Sequence, residues 1–145
     1  MSDDKAKNHA KAAQKQKQSA AQKAKLIAAK NKKKSIDEKI ETLEGAHRKL
    51  EVLLGELSAF RTNLQHQLHI NASDFKGNQA DNYDQLIQDS VRAISKIEGK
   101  HEQNKYQIAR KINELRHESA SLGKTMAAIS ATINSLMSEV SSLLN

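Results

Sequence analysis

Residues 36–68 read IDEKIETLEGAHRKLEVLLGELSAFRTNLQHQL, and the spacing of their aliphatics decides the fold. Ile36, Leu43, Leu50, Leu57 and Leu64 fall seven apart, and Ile40, Leu54 and Leu68 fill the alternate positions. His47 and Arg61 are the two polar members of this seam. Alternating steps of three and four keep one apolar edge of a helix facing a second helix, the requirement for a coiled coil. Val52, Leu53 and Phe60 lie beside the seam and are expected to widen it.

A second periodic stretch supplies the other helix, expected over residues 84–144. It runs Ile87, Ile94, Ile97, His101, Ile108, Ile112, Leu115, Ser119 and on through Leu122, Met126, Ile129, Ile133, Leu136, Val140 and Leu143. Read on its aliphatics alone, the register slips by four residues near Lys105, a stutter that would locally unwind the pair. Gly99 and Gly123 are the positions where this helix is expected to bend, since Gly costs about 1 kcal/mol relative to Ala inside a helix.

Between the two stretches, residues 71–83 read NASDFKGNQADNY, rich in the Asn, Asp, Ser and Gly that favour turns and helix caps. Folding the chain there, with facing residues adding to about 151, sets Leu57 against Ile94 and Leu43 against Ile108. In this register His47 falls opposite Asn104, close to His101, as a polar layer, and Arg61 falls near Asp89 and Ser90. The expected fold is therefore all-α: a long antiparallel, coiled-coil-like hairpin over residues 36–145, with helix 36–70, hinge 71–83 and helix 84–144.

Composition agrees with that fold and excludes others. The 145 residues contain no Pro, Cys or Trp and only two Phe and two Tyr, too few aromatics for an ordinary compact core. Without Cys there is neither a disulfide framework nor a thiolate metal site. No apolar run approaches the roughly 18 residues of a membrane span. The N-terminus also lacks an apolar stretch suited to a secretory signal, so a cytoplasmic protein is expected.

The net charge of +7 is unevenly placed. Residues 1–35 form a basic arm rich in Ala, Lys and Gln, and the remainder is nearly balanced. The arm has no large apolar residue before Leu26, so residues 1–25 are expected to stay frayed and to be trimmed rapidly by trypsin. By the same reasoning an Ala/Lys/Gln strip should not match the aliphatics of the second helix. Leu122, Met126, Ile129, Ile133, Leu136, Val140 and Leu143 are thus the expected partner-binding stripe, its docking mode a helix in a groove.

Catalysis has little support. The six His are scattered, and His66 and His69, at helical spacing, have no carboxylate or Cys nearby to complete a metal site. No phosphate loop, nucleophile elbow or HExxH pattern occurs, so no enzyme activity, catalytic residue, metal or cofactor is expected. The arm's lysines are compatible with phosphate contacts, but no aromatics lie among them to stack on bases, which disfavours nucleic acid.

The hinge carries the most specific pattern. Phe75-Lys76-Gly77 is followed by Ala80 and Tyr83, between two amphipathic helices. The phrase resembles the aromatic-x-Gly of the WXG100 (ESX) superfamily, helical hairpins of type VII secretion, with Phe in place of Trp. The long arms and the entry KIETLEGA at residues 39–46 look most like the YwqH-like partners of LXG-domain toxins.

The resemblance implies a chaperone or targeting subunit that pairs with the N-terminal helical domain of an LXG-type toxin, with a second small helical partner as a further candidate. No Tyr or Phe is followed four residues later by Asp or Glu. The family's export signal is thus missing, and a partner would have to supply it for co-export. A basic-tailed coiled coil binding nucleic acid and a homotypic structural coiled coil are the alternatives, the latter forming homo-oligomers when alone. If Phe75 seals the end of the hairpin core, Phe75→Ala costs on the order of 3 kcal/mol in a thermal melt. A melt unchanged within about a degree shows Phe75 to be exposed.

Overall fold

The structure, a computed structural model, describes the backbone of residues 2–71 and 78–145, and the side chains of these except residues 67–71 and 78–80. Two helices account for it: α1, Ser2–Asn71, and α2, Asn78–Leu144. The chain is an all-α helical hairpin, as its seams require. Phe75 and Gly77, and the pairing of Leu68, lie outside the described residues.

Both helices run without a break because nothing in them opposes helix. Pro is absent, and Ala, Lys, Gln, Glu and Leu, all strong helix formers, dominate. Asp3 and Asp4 in the first turn of α1, and Asp81 in that of α2, complement the positive end of each helix dipole. Gly99 and Gly123 do not interrupt α2. At Gly123 an added Cβ would lie 3.7 Å from Cε of Lys33, whose stem crosses that point.

The helices contribute to two compact units. Unit 1 comprises residues 1–40 and 114–145, and unit 2 comprises residues 41–113. In unit 1 the basic arm is helical and packed, against the expectation that its first 25 residues fray. Its covered positions are Asn8, Ala12, Lys15, Ser19, Gln22, Leu26, Ala29, Lys33, Ile36 and Ile40, an unbroken alternation of fours and threes. Ala12 and Ser19 are each only 2% exposed.

The physical reason is complementarity of size. Small seam residues let the large α2 side chains enter between the helices, a large-on-small packing that the aliphatic count alone does not register. The methylene stems of Lys15 and Lys33 add apolar cover while their ammonium groups turn outward to Glu139 and Asp37. Rapid tryptic trimming is therefore not expected of this arm.

In unit 2, α2 corrects the sequence reading a second time. Its covered positions run Asp84, Ile87, Val91, Ile94, Glu98, His101, Lys105, Ile108 and Ile112 without a slip. The stutter disappears because Glu98, rather than Ile97, takes the seam position, and Ile97 is left 45% exposed. In unit 1 the same alternation covers Leu115, Ser119, Leu122, Met126, Ile129, Ile133, Leu136, Val140 and Leu143.

Cross-helix contacts also move the register by about one helical turn. Ser119 Oγ donates to Asp37 Oδ1 at 2.6 Å and Lys32 reaches Glu118 at 4.0 Å in unit 1. Arg61 Nε donates to Glu98 Oε1 at 2.8 Å and Lys105 Nζ lies 4.0 Å from Glu51 in unit 2. Within each unit the facing residues add to about 155 rather than 151. Arg61 thus meets Glu98 and not Asp89 or Ser90. His47 falls level with Ile108 and His101 with Leu54, so the two His occupy different layers.

Ser19 offers a test of the arm's packing. Its Oγ is buried without a hydrogen-bond partner. Ser19→Ala should remove that penalty and improve helix propensity, raising stability by about 1 kcal/mol in urea denaturation. A loss of stability would show that the hydroxyl is hydrogen-bonded in solution.

Candidate interaction surface

The seam aliphatics of α2 in unit 1 are not a free stripe. Ile133 and Val140 are buried, and Leu122, Met126, Ile129, Leu136 and Leu143 are half-buried beside the arm of the same chain. The sequence argument that these seven need an external cover does not hold, because Ala12, Ser19 and Ala29 cover them from within unit 1. Lys11 and Lys15 face Ser135, Ser138, Glu139, Ser142 and Leu143 along this packing, lining a shallow groove. Tyr83, the described part of the hinge motif, is half-buried at the start of α2.

Exposed large apolar residues occur in both units, with Ile27, Met137 and Leu144 in unit 1 and a larger set in unit 2. Val52, Leu53 and Phe60 on α1, and Leu86 and Ile97 on α2, all stand open to solvent in unit 2. Val52, Leu53 and Phe60 do not widen the internal seam as expected. Leu53 and Phe60 each immediately precede a seam position, Leu54 and Arg61. Ile97 immediately precedes the seam residue Glu98. In an antiparallel pair the positions just before the seam on the two helices share one flank. Lys32 and Glu118, which hold the same relation to Lys33 and Ser119, meet across that flank in unit 1. Leu53, Phe60 and Ile97 therefore form one apolar flank of unit 2, with Phe60 55% and Leu53 37% exposed.

Beneath that flank the seam of unit 2 is unusually polar. Arg61 and Glu98 pair within it, and His47 Nδ1 lies 3.5 Å from Glu51 on its own helix. His101 Nδ1 is buried without a hydrogen-bond partner. Such groups fix register more than they add stability, because each would be costly in any alignment that removed its neighbour. The sequence reading missed Glu98 and Lys105 as seam residues. Only continuation of the three-four count through a charged stretch would have found them.

Among the described residues no group of three or more His, Asp or Glu is placed to hold a metal ion, and no helix is long and apolar enough to cross a membrane. No family model matches the chain, and no curated protein or solved structure is similar to it.

Asp37 gives unit 1 a measurable pH signature. The hydrogen bond from Ser119, and then that from Lys33, hold its carboxyl below the ordinary value of 3.8. A depressed carboxylate stabilises the fold above that ordinary value, and the contribution is lost as the pH falls through the lower, folded value. Urea midpoints measured from about pH 6 to about pH 2 should fall less steeply at the acid end for Asp37→Asn than for the parent. Parallel curves would mean that the Ser119–Asp37 bond does not form in solution.

Proposed function

We propose that this protein is a helical binding partner, a chaperone or targeting subunit, of a type VII secreted LXG-type toxin, pairing with the toxin's N-terminal helical domain. The observation that carries the reading is the apolar flank of Leu53, Phe60 and Ile97. An internal seam extended by apolar residues at the position just before it is the pattern of helices facing a bundle, which have more apolar surface than one hairpin consumes. The sequence at residues 75–83, with its resemblance to the WXG100 hinge, supplies the identity of the proposed partner. The missing export motif supports a role in which the cargo carries the signal and this chain acts before or during its passage.

The mechanism is hydrophobic docking with register control. A partner helix laid along the flank buries Phe60 and Ile97, the large side chains most able to act as anchors. Polar seam residues beneath them hold the two helices in one alignment, so the flank is offered in a fixed geometry and little ordering cost is met on binding.

The test is co-expression with the helical domain of a toxin encoded beside this chain. Phe60→Asp with Ile97→Asp should weaken the complex by at least about a hundredfold while leaving helical content unchanged. Ile129→Asp with Ile133→Asp should instead melt unit 1. Undiminished co-purification of the Phe60/Ile97 variant would remove the flank as the interface.

A further inference from the structure

The basic arm is not absorbed by the proposed function, and its ordered state changes what it can do. The entire net charge of the chain lies in unit 1. Its residues hold 14 Lys and Arg against 7 Asp and Glu, whereas unit 2 holds 10 of each. Lys11, Lys17, Lys23, Lys25 and Lys30 are exposed, and none has an acidic partner within ion-pair distance among the described residues.

Their placement is regular. Lys11, Lys25 and Lys32 stand immediately before seam positions, and Lys23 and Lys30 immediately after them, so lysines line both flanks of α1. The outward face between the rows carries Ala10, Ala13, Ala20 and Ala24 together with Lys17, Ile27, Asn31 and Lys34, all exposed. A helix with lysines on both flanks and on its outer face, set among small alanines, fits a concave, anionic channel. An α-helix with side chains is about 10–12 Å across, and the major groove of B-form DNA is about 12 Å wide with a phosphate wall on each side.

The chemistry narrows the ligand. Unit 1 contains no Phe, Tyr or Trp, so it has no platform on which unpaired bases could stack, and single strands are disfavoured. Ile27 is the one large apolar residue exposed on the arm, too little for insertion into a bilayer. Lysine is a point charge without the planar fork that reads guanine, so contacts would be to phosphates and indifferent to sequence. We infer that the α1 face of unit 1 binds the phosphate backbone of double-stranded nucleic acid without sequence preference.

The experiment measures binding of the full chain to a mixed-sequence DNA duplex of about 30 base pairs by fluorescence anisotropy across a salt series. Neutralising Lys17, Lys23, Lys25 and Lys30 to Gln leaves the seam intact, so helical content should not change. Each phosphate contact contributes about 0.9 to the slope of log K against log salt. The fourfold variant should therefore lose up to about 3.6 in slope, and at least about tenfold in affinity at about 50 mM salt. Equal binding of two unrelated duplexes supports the inference. An unchanged slope in the variant overturns it, as does binding to polyglutamate or to phosphatidylserine vesicles with no binding to duplex. Those last two outcomes would assign the lysines to an acidic protein or to a membrane surface.

Discussion

A seam that returns every three and four residues determines which side chains are covered before their chemistry is considered. Once Ile36, Ile40 and Leu115 in unit 1, and Leu54, Ile94 and Ile112 in unit 2, lock two helices side by side, the positions between them on the same edge are covered as well. Covering an aliphatic is favourable at roughly 25 cal/mol per Å² of apolar surface, whereas a half-buried Glu98 or Lys105 must at least retain a partner or reach water. The helices meet that demand with Arg61 for Glu98 and Glu51 for Lys105. The aliphatic layers supply stability and the polar layers specify alignment.

This division explains what was legible in the sequence. Residues 36–64 could be read directly because large aliphatics sit at nearly every seam position, and so could the C-terminal half of α2. The arm could not, because Asn8, Ala12, Lys15, Ser19 and Gln22 hold seam positions with small or polar side chains that a count of large apolars passes over. Only the geometry of the helix that carries on from Ile36 makes them a seam. The false stutter has the opposite cause. Ile97 drew the pattern to itself by hydrophobicity, while the unbroken three-four count passes through Glu98. The pairing is also offset by about a turn from the expected register, so Arg61 meets Glu98 and the two His fall in different layers.

The candidate surface was legible only in part, for a related reason. Val52, Leu53 and Phe60 were visible as apolar neighbours of the seam, but their fate depends on whether the opposite helix offers a matching position. The opposite flank position is Ile97 rather than a further seam residue, so the apolar side chains face outward together instead of inward. The α2 stripe in unit 1 shows the converse. It looked free because its cover is made of alanine, serine and lysine stems.

One row of α1 ties these surfaces together. The positions immediately before every second seam residue, seven apart, are Lys11, Gln18, Lys25, Lys32 and Lys39, and then Ala46, Leu53 and Phe60. Along a single heptad position the chemistry passes from cationic to apolar, and the change falls between Lys39 and Ala46, where the residues of unit 1 on α1 give way to those of unit 2. If the row were merely a solvated edge, a mixture of polar residues along its whole length would serve equally well, and Leu53 and Phe60 would only be a liability for solubility. If it served only to hold α2, every lysine of the row would find an acid across the flank, yet only Lys32 does so among the described residues, with Glu118, and that flank of α2 otherwise offers Glu139 among threonines. Neither purpose accounts for both halves of the row. The two proposed partners would account for both: an apolar helix against unit 2 and an extended anion against unit 1.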